Sequence, residues 1–109
     1  MTQNILPEEP KEAVEKMIEI VRGMKAVAEM EAKALDRRDP KELNALIEIK
    51  DKASRIFEQA GKEFHQRRDE FTGVEPTLLL QLATEQAALQ KAAAANSAYY
   101  KAAQAGKKG

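Results

Sequence analysis

The stretch ALDRRDPKELNAL, residues 34–46, decides the fold because it ends one helix and begins the next. Asp39 can cap the N-terminus of the second of these helices, since its side chain can accept from the first free backbone N–H groups. Pro40 stands at the first helical position, where its missing N–H costs nothing and its φ is already helical. Glu42 completes a pattern like the capping box. The stretch therefore predicts two consecutive helices joined by a tight acidic turn.

The same acid–proline step occurs twice more, at Glu9–Pro10 and at Glu75–Pro76. The three steps divide the chain into three segments of about thirty residues, each rich in strong helix formers. Helices of this length span roughly 45 Å, which is too long for a squat globular core. We therefore expect a single all-α domain over residues 1–109, an antiparallel bundle or extended helical hairpin whose third helix docks loosely. The predicted helices cover residues 10–38, 40–72 and 76–105, and residues 106–109 form a disordered tail.

The composition excludes several classes of function. Lysine plus arginine equals aspartate plus glutamate at 18 each, so no overall basic character favours nucleic acid or an anionic membrane. Cysteine is absent, which removes disulfides, thiolate metal sites and cysteine nucleophiles. Residues 1–9 lack the basic and apolar regions of a signal peptide, and the longest run of large apolar residues, 78–80, is far too short to cross a bilayer. We expect a cytoplasmic protein with neither a nucleic-acid nor a membrane partner.

The third segment carries unusually few charges. Residues 1–75 hold 17 of the 18 acids and 14 of the 18 bases. The remainder is rich in leucine, glutamine and alanine, and a helix of that kind is normally covered on more than one side. The third helix can be covered by the other two helices of the chain, by a second copy of the chain or by another protein. The sequence does not decide among these three alternatives. The alanines of residues 92–95 bury little area, so we expect the end of this helix to dock weakly.

Polar residues interrupt the apolar stripes of all three helices. The stripe of the first helix is broad enough for two neighbours, and Glu31 interrupts it. Lys50 occupies a seam position of the second helix, and Asn96 one of the third. Asparagine at a seam lowers stability and tends to fix register or partner. Opposite charges four residues apart, including Glu63 and Arg67, are predicted to form pairs on the outer faces.

No candidate for catalysis or metal binding survives inspection. The groups concerned are one histidine, two arginine pairs and two serines: His65, Arg37–Arg38, Arg67–Arg68, Ser54 and Ser97. The histidine could share a metal only with Glu58 and Asp69, and a di-iron bundle requires paired Glu-x-x-His motifs that the chain lacks. Acids beside both arginine pairs neutralise them, and neither serine has a histidine placed to activate it. We therefore expect no enzyme, no cofactor and no metal.

The third helix instead supplies the candidate partner-binding surface. Its members are the bulky apolar residues of the helix together with the seam asparagine: Leu78, Leu79, Leu82, Leu89, Asn96, Tyr99 and Tyr100. Tyrosines offer a large amphipathic contact area with little loss of entropy. The alternative is that the asparagine marks fraying and that one tyrosine merely packs on the bundle. Adjacent residues lie about 100° apart on a helix, so both rings cannot face one core.

Three runs of the chain resemble the FlgN-type flagellar export chaperones. They are EAKAL at 31–35, DRRDPKEL at 36–43 and LIEIK at 46–50. A late helix that ends in an asparagine and large side chains is also similar, and here it contains Leu89, Asn96, Tyr99 and Tyr100. An alanine run stands where that family commonly has bulkier residues. The resemblance implies a cytoplasmic chaperone that holds hook–filament junction proteins before type III export, using its C-terminal helix.

The sequence therefore predicts a non-enzymatic helical binding protein. In the preferred interpretation the third helix gives up its loose docking on the bundle to bind an amphipathic helix of a secreted flagellar protein. The protein itself is expected to be a monomer or a weak homo-oligomer. The alternative is a self-associating coiled-coil assembly or adaptor protein without a client. A client-binding chaperone should expose its C-terminal segment to protease, whereas a stable oligomer should protect it.

Overall fold

The computed structural model describes residues 4–106, which form three long helices. Helix α1 runs over Pro10–Arg37, α2 over Pro40–Gln66 and α3 over Pro76–Gly106. A 3₁₀ helix, Arg68–Gly73, lies between α2 and α3. No strand occurs within residues 4–106, and the predicted all-α bundle is confirmed.

The acid–proline steps cap the first two helices as their chemistry predicts. The Glu9 side chain accepts from the backbone N–H of Glu12 at 2.9 Å, and Asp39 accepts from Lys41 at 3.1 Å. The turn between α1 and α2 closes at Arg38, which adopts the left-handed conformation with a φ of 53°. This position usually belongs to glycine. Here the Arg38 N–H donates to the Leu35 carbonyl at 3.1 Å, so the end of α1 is satisfied without one.

Replacing Asp39 with alanine is expected to lower the free energy of unfolding by about 1 kcal/mol, because the first N–H groups of α2 lose their acceptor. Urea denaturation followed by circular dichroism measures the change. Asp36→Ala is the matched control, since Asp36 is exposed and caps nothing. Equal effects of the two substitutions would show that the side-chain cap contributes nothing.

Helix α1 lies between the other two. It packs against both α2 and α3, whereas α2 and α3 scarcely touch each other. The prediction that the broad stripe of α1 contacts two neighbours is confirmed. Helix α3 runs parallel to α1, as Asn96 donates to the Ala28 carbonyl and Tyr99 to the Leu35 carbonyl further along both helices. The molecule is consequently flat, with extents of 54 × 32 × 20 Å.

The predicted end of the second helix at residue 72 is wrong, because α2 ends at Gln66. The chain tightens into the 3₁₀ helix and brings Phe71 back onto Phe64, with the ring centroids 4.3 Å apart and the planes 14° from parallel. Phe71 is only 3% exposed. A continued α-helix would have kept Phe71 on the face of Phe64 but about 10 Å further along the axis, so the two rings can stack only because the helix breaks. The cluster of buried apolar side chains around it includes Leu6, Val14, Met17, Val21, Val74 and Leu82.

The segment before α1 is fastened to the end of α2. Glu63 is 6% exposed and accepts from the backbone N–H groups of Ile5 at 3.0 Å and Leu6 at 2.9 Å. Arg67 donates to the carbonyls of Pro7 and Glu8, each at 2.7 Å. The predicted outer-face pair of Glu63 and Arg67 is therefore wrong, because both side chains turn towards the N-terminal segment. Burial would raise the pKa of Glu63, but the backbone donors outweigh it and lower that pKa.

The third helix docks along α1 on one side only. Its alanine-rich end, which the sequence predicted to be loosely docked, is held on α1 by side-chain hydrogen bonds from Asn96, Tyr99 and Tyr100. The opposite face is uncovered, and Leu80 on it is 68% exposed. Gly106, the first residue of the predicted disordered tail, ends α3 as a helical residue, and residues 107–109 lie outside the described part of the chain.

Candidate binding groove between the second and third helices

An open groove runs between α2 and α3 in the half of the bundle that contains Asp39. Helix α1 forms its floor, and the other two helices form its walls. In the opposite half, Phe57 and Phe64 pack against the buried core, and neither lines a cleft between α2 and α3. The part of α3 that lines the open half offers the small side chains of Ala93, Ala102 and Ala103 beside its two tyrosines. We call this open part the interhelical groove.

The interhelical groove consists of three adjoining clefts with mainly apolar walls. The first cleft, of about 290 Å³, lies over Val27 and Ala28 of α1. The second, of about 530 Å³, is lined by Leu43 and Ile47 of α2. The third, of about 680 Å³, lies between α2 and the tyrosine end of α3. Ile47 is 64% exposed, so an apolar side chain on the groove wall faces solvent.

A buried carboxylate ties the three helices together beneath the groove. Glu31 of α1 is 7% exposed and accepts from Lys50 Nζ of α2 at 2.9 Å. It also accepts from α3, through Asn96 Nδ2 at 3.0 Å and the Tyr100 hydroxyl at 2.9 Å. The Asn96 amide donates in addition to the Ala28 carbonyl at 2.9 Å. This Glu31 cluster (Glu31, Lys50, Asn96 and Tyr100) joins the two walls to the floor without filling the groove.

The electrostatics of the Glu31 cluster favour an ionised carboxylate. Burial of Glu31 would raise its pKa, but the hydrogen bonds from Lys50, Tyr100 and Asn96 and the charge of Lys50 outweigh burial and lower the pKa below its ordinary value of 4.5. Burial and the hydrogen bond to Glu31 raise the pKa of the Tyr100 hydroxyl. At neutral pH the cluster therefore contains a carboxylate, an ammonium and a protonated phenol. Such a set holds α2 and α3 in position on α1.

The predicted partner-binding residues separate into two groups in the structure. Leu78 and Leu79 are partly buried and Leu82 is 4% exposed, and all three join the core in the phenylalanine half of the bundle. The remaining four line the groove: Leu89, Asn96, Tyr99 and Tyr100. The leucine and the asparagine among them are 7% and 5% exposed, while the two tyrosines are 37% and 40% exposed. Contact of these residues with a partner stays a prediction, and the tyrosines are the members that a partner can reach directly.

The sequence-based surface omitted the second wall of the groove. Leu43, Ile47 and Lys50 of α2 line it, and Glu31 lies at its floor. The sequence did single out Lys50 and Glu31, because each is a polar residue that interrupts the apolar stripe of its helix. Ile47 lies beside the seam of α2 and is exposed because α3 does not cover it.

The residues considered for chemistry are dispersed over the surface. His65 is exposed in the last turn of α2, and Ser54 and Ser97 lie on opposite walls of the groove. Within residues 4–106 no three His, Asp or Glu side chains come together as metal ligands. Over the same range, no helix combines the length and the hydropathy needed to cross a bilayer.

Comparisons of the chain with protein-family models, with curated proteins and with solved structures found no match.

Proposed function

We propose that the protein is a non-enzymatic helix-binding protein whose site is the interhelical groove. In this proposal it is a cytoplasmic export chaperone that holds an amphipathic helix of a hook–filament junction protein before type III export. The observation that carries the binding function is the open apolar groove between two helices that share a floor but scarcely touch. Amphipathic helices are recognised in grooves of this kind through apolar residues at spacings of three and four.

The dimensions and chemistry of the groove suit a helix. Two helices that flank a third without touching each other leave a trough into which a fourth can lie, as in a four-helix bundle. The α2 wall offers Leu43 and Ile47, and the α3 wall offers Tyr99 and Tyr100. Tyrosine anchors of this type carry much of the binding energy in helical interfaces. The partner helix would complete the bundle and cover the exposed apolar side chains.

The proposed mechanism leaves α3 docked on α1. Leu82, Leu89 and Asn96 are buried against α1, and the Glu31 cluster holds the α3 end in place. Displacing α3 would expose these groups, whereas adding a helix to the groove would expose nothing. The partner therefore joins the bundle and does not exchange with one of its helices.

The flagellar part of the proposal rests on the resemblance to the FlgN-type chaperones. The runs that carry that resemblance, residues 31–50, provide the floor and one wall of the groove through Glu31, Leu43, Leu46 and Lys50. The family-like residues and the open apolar surface therefore coincide. Co-purification of a hook–filament junction protein with the chain, and its loss on alteration of the groove, would support this assignment.

Replacing Ile47 with aspartate is expected to weaken binding of an amphipathic helix by at least tenfold, because a charge would face the partner's apolar stripe. The probe is a synthetic helical peptide of about five turns with a continuous leucine stripe, titrated by calorimetry. Ile49→Asp is the matched control: Ile49 lies on the same helix, is 48% exposed and does not line the groove. Unchanged affinity in Ile47→Asp, or an equal loss in Ile49→Asp, would rule out the groove as the binding site.

One observation favours the alternative of a self-associating assembly protein. The outer face of α3 is uncovered and contains the 68% exposed Leu80 among alanines. Sedimentation analysis separates the two functions, because a stable oligomer at micromolar concentration supports assembly, whereas a monomer that binds the peptide supports capture.

A further inference from the structure

The charges along the interhelical groove do not balance once the ion pairs are formed. Asp51 on the α2 wall pairs with Arg55 at 3.0 Å, and Glu31 on the floor pairs with Lys50 at 2.9 Å. Two further cations line the clefts, Arg38 beside the tyrosine end of α3 and Lys101 on the α3 wall. Neither forms an ion pair with any side chain of residues 4–106. The sequence predicted that the neighbouring acids neutralise Arg38, but the Asp39 carboxylate instead accepts from the backbone N–H groups of Lys41 and Glu42.

Helix α3 has no acid near the groove to neutralise these cations. Its one acidic residue within the described part of the chain, Glu85, forms ion pairs with Arg22 and Lys25 of α1, each at 3.3 Å. Glu85 lines none of the three clefts. The chain as a whole has a formal net charge of zero, so the two unpaired cations do not reflect an overall basic character. A local field of one sign beside an apolar surface selects partners of the opposite sign.

We propose that the groove selects a helix whose apolar stripe is flanked by carboxylates, which pair with Arg38 and Lys101. The inference rests on the proposed helix-binding function and names the chemistry of its partner. The apolar stripe would lie over Val27, Leu43 and Ile47, and the acidic flank would lie towards the Asp39 end. Lys50 remains bound to Glu31 and contributes to the floor.

Two synthetic peptides test the selection. Both are helices of about five turns with the same leucine stripe, flanked in one by glutamates and in the other by lysines. At low ionic strength the glutamate peptide is expected to bind about tenfold more tightly than the lysine peptide. The glutamate peptide would gain two solvent-exposed ion pairs, whereas the lysine peptide would be repelled at the same two positions. The ratio is expected to shrink at about 0.5 M salt, where charges on the rim are screened.

Charge-reversed chains assign the preference to the groove. The double variant Arg38→Glu/Lys101→Glu is expected to abolish or invert the preference for the glutamate peptide. The single variant Lys101→Glu is expected to reduce this preference and leaves the turn at Arg38 unaltered. The control combines Lys52→Glu with Lys91→Glu, two exposed positions outside the clefts that change the net charge equally. The control is expected to keep the tenfold preference.

The outcomes separate this inference from the function on which it rests. Equal binding of the two peptides, or a preference that survives reversal of both groove cations, would overturn the inference and leave helix binding intact. Failure of both peptides to bind would overturn the inference together with the proposed function. If the chain sediments as a dimer that neither peptide can dissociate, a second copy of the chain occupies the groove. That result would also overturn the inference.

Discussion

Phe71→Ala is expected to lower the free energy of unfolding by about 3–5 kcal/mol, the largest loss for any single substitution considered. Phe71 is 3% exposed and stacks on Phe64 at 4.3 Å, while the Arg67 guanidinium lies 5.6 Å from the ring centre. Alanine would leave a cavity at the point where the 3₁₀ helix, the N-terminal segment and the helices meet. Chemical denaturation monitored by circular dichroism measures the loss.

Thr72→Ala is the control for this experiment, because Thr72 is the exposed neighbour of Phe71 in the same 3₁₀ helix. We expect that control to stay within about 0.5 kcal/mol of the unaltered chain. If Phe71→Ala were no more harmful than Thr72→Ala, the 3₁₀ helix would not be part of the core. Truncation of Phe57 or Phe64 is expected to cost less than truncation of Phe71, since both rings are only partly buried.

The helix starts could be predicted because their chemistry is local. Each acid–proline step places an acceptor, a fixed φ and a missing donor within consecutive residues, so Pro10, Pro40 and Pro76 begin helices as expected. The end of α2 could not be predicted in this way. The residues after Gln66 are compatible with helix, and the break depends on the contact of Phe71 with Phe64 in the folded chain.

The polar residues of the core were visible in the sequence, but their pairing was not. Glu31, Lys50 and Asn96 each interrupt an apolar stripe, which signals a special role for each one singly. Their meeting depends on the register of three helices, with 19 residues between Glu31 and Lys50 and 65 between Glu31 and Asn96. The anchoring of Leu6 by Glu63 spans 57 residues and left no periodic signal.

The interhelical groove could not be predicted from the sequence either, because it exists only where α2 and α3 do not pack against each other. The sequence showed that the third helix has few charges, and it left open what covers it. In the structure α3 packs on α1 and scarcely touches α2. The resulting surface has Leu89, Tyr99 and Tyr100 of α3 on one wall, and Leu43 and Ile47 of α2 on the other. The apolar periodicity of a single helix cannot predict a partner surface that two helices form together.

Glu31→Ala is expected to lower the free energy of unfolding by about 3 kcal/mol. Removal of one partner of a buried ion pair costs about 3–5 kcal/mol, but here Lys50 is 48% exposed and regains water, which places the loss at the lower end. Asn96 and Tyr100 would also lose an acceptor that joins α3 to α1. Glu29→Ala, at an exposed position on the same helix, is the control and should change stability little.

The pH dependence of stability gives an independent measure of the same carboxylate. The folded chain lowers the pKa of Glu31 below its ordinary value of 4.5, so the ionised form stabilises the fold above that pH. This contribution is lost as the pH falls below 4.5 through the folded pKa. Glu31→Gln, which cannot ionise, should therefore be less stable than the unaltered chain at pH 7, and the difference should shrink as the pH falls below 4.5. A gap that stayed constant over this range would show that the hydrogen bonds of the cluster, and not the charge of Glu31, hold α2 and α3 on α1.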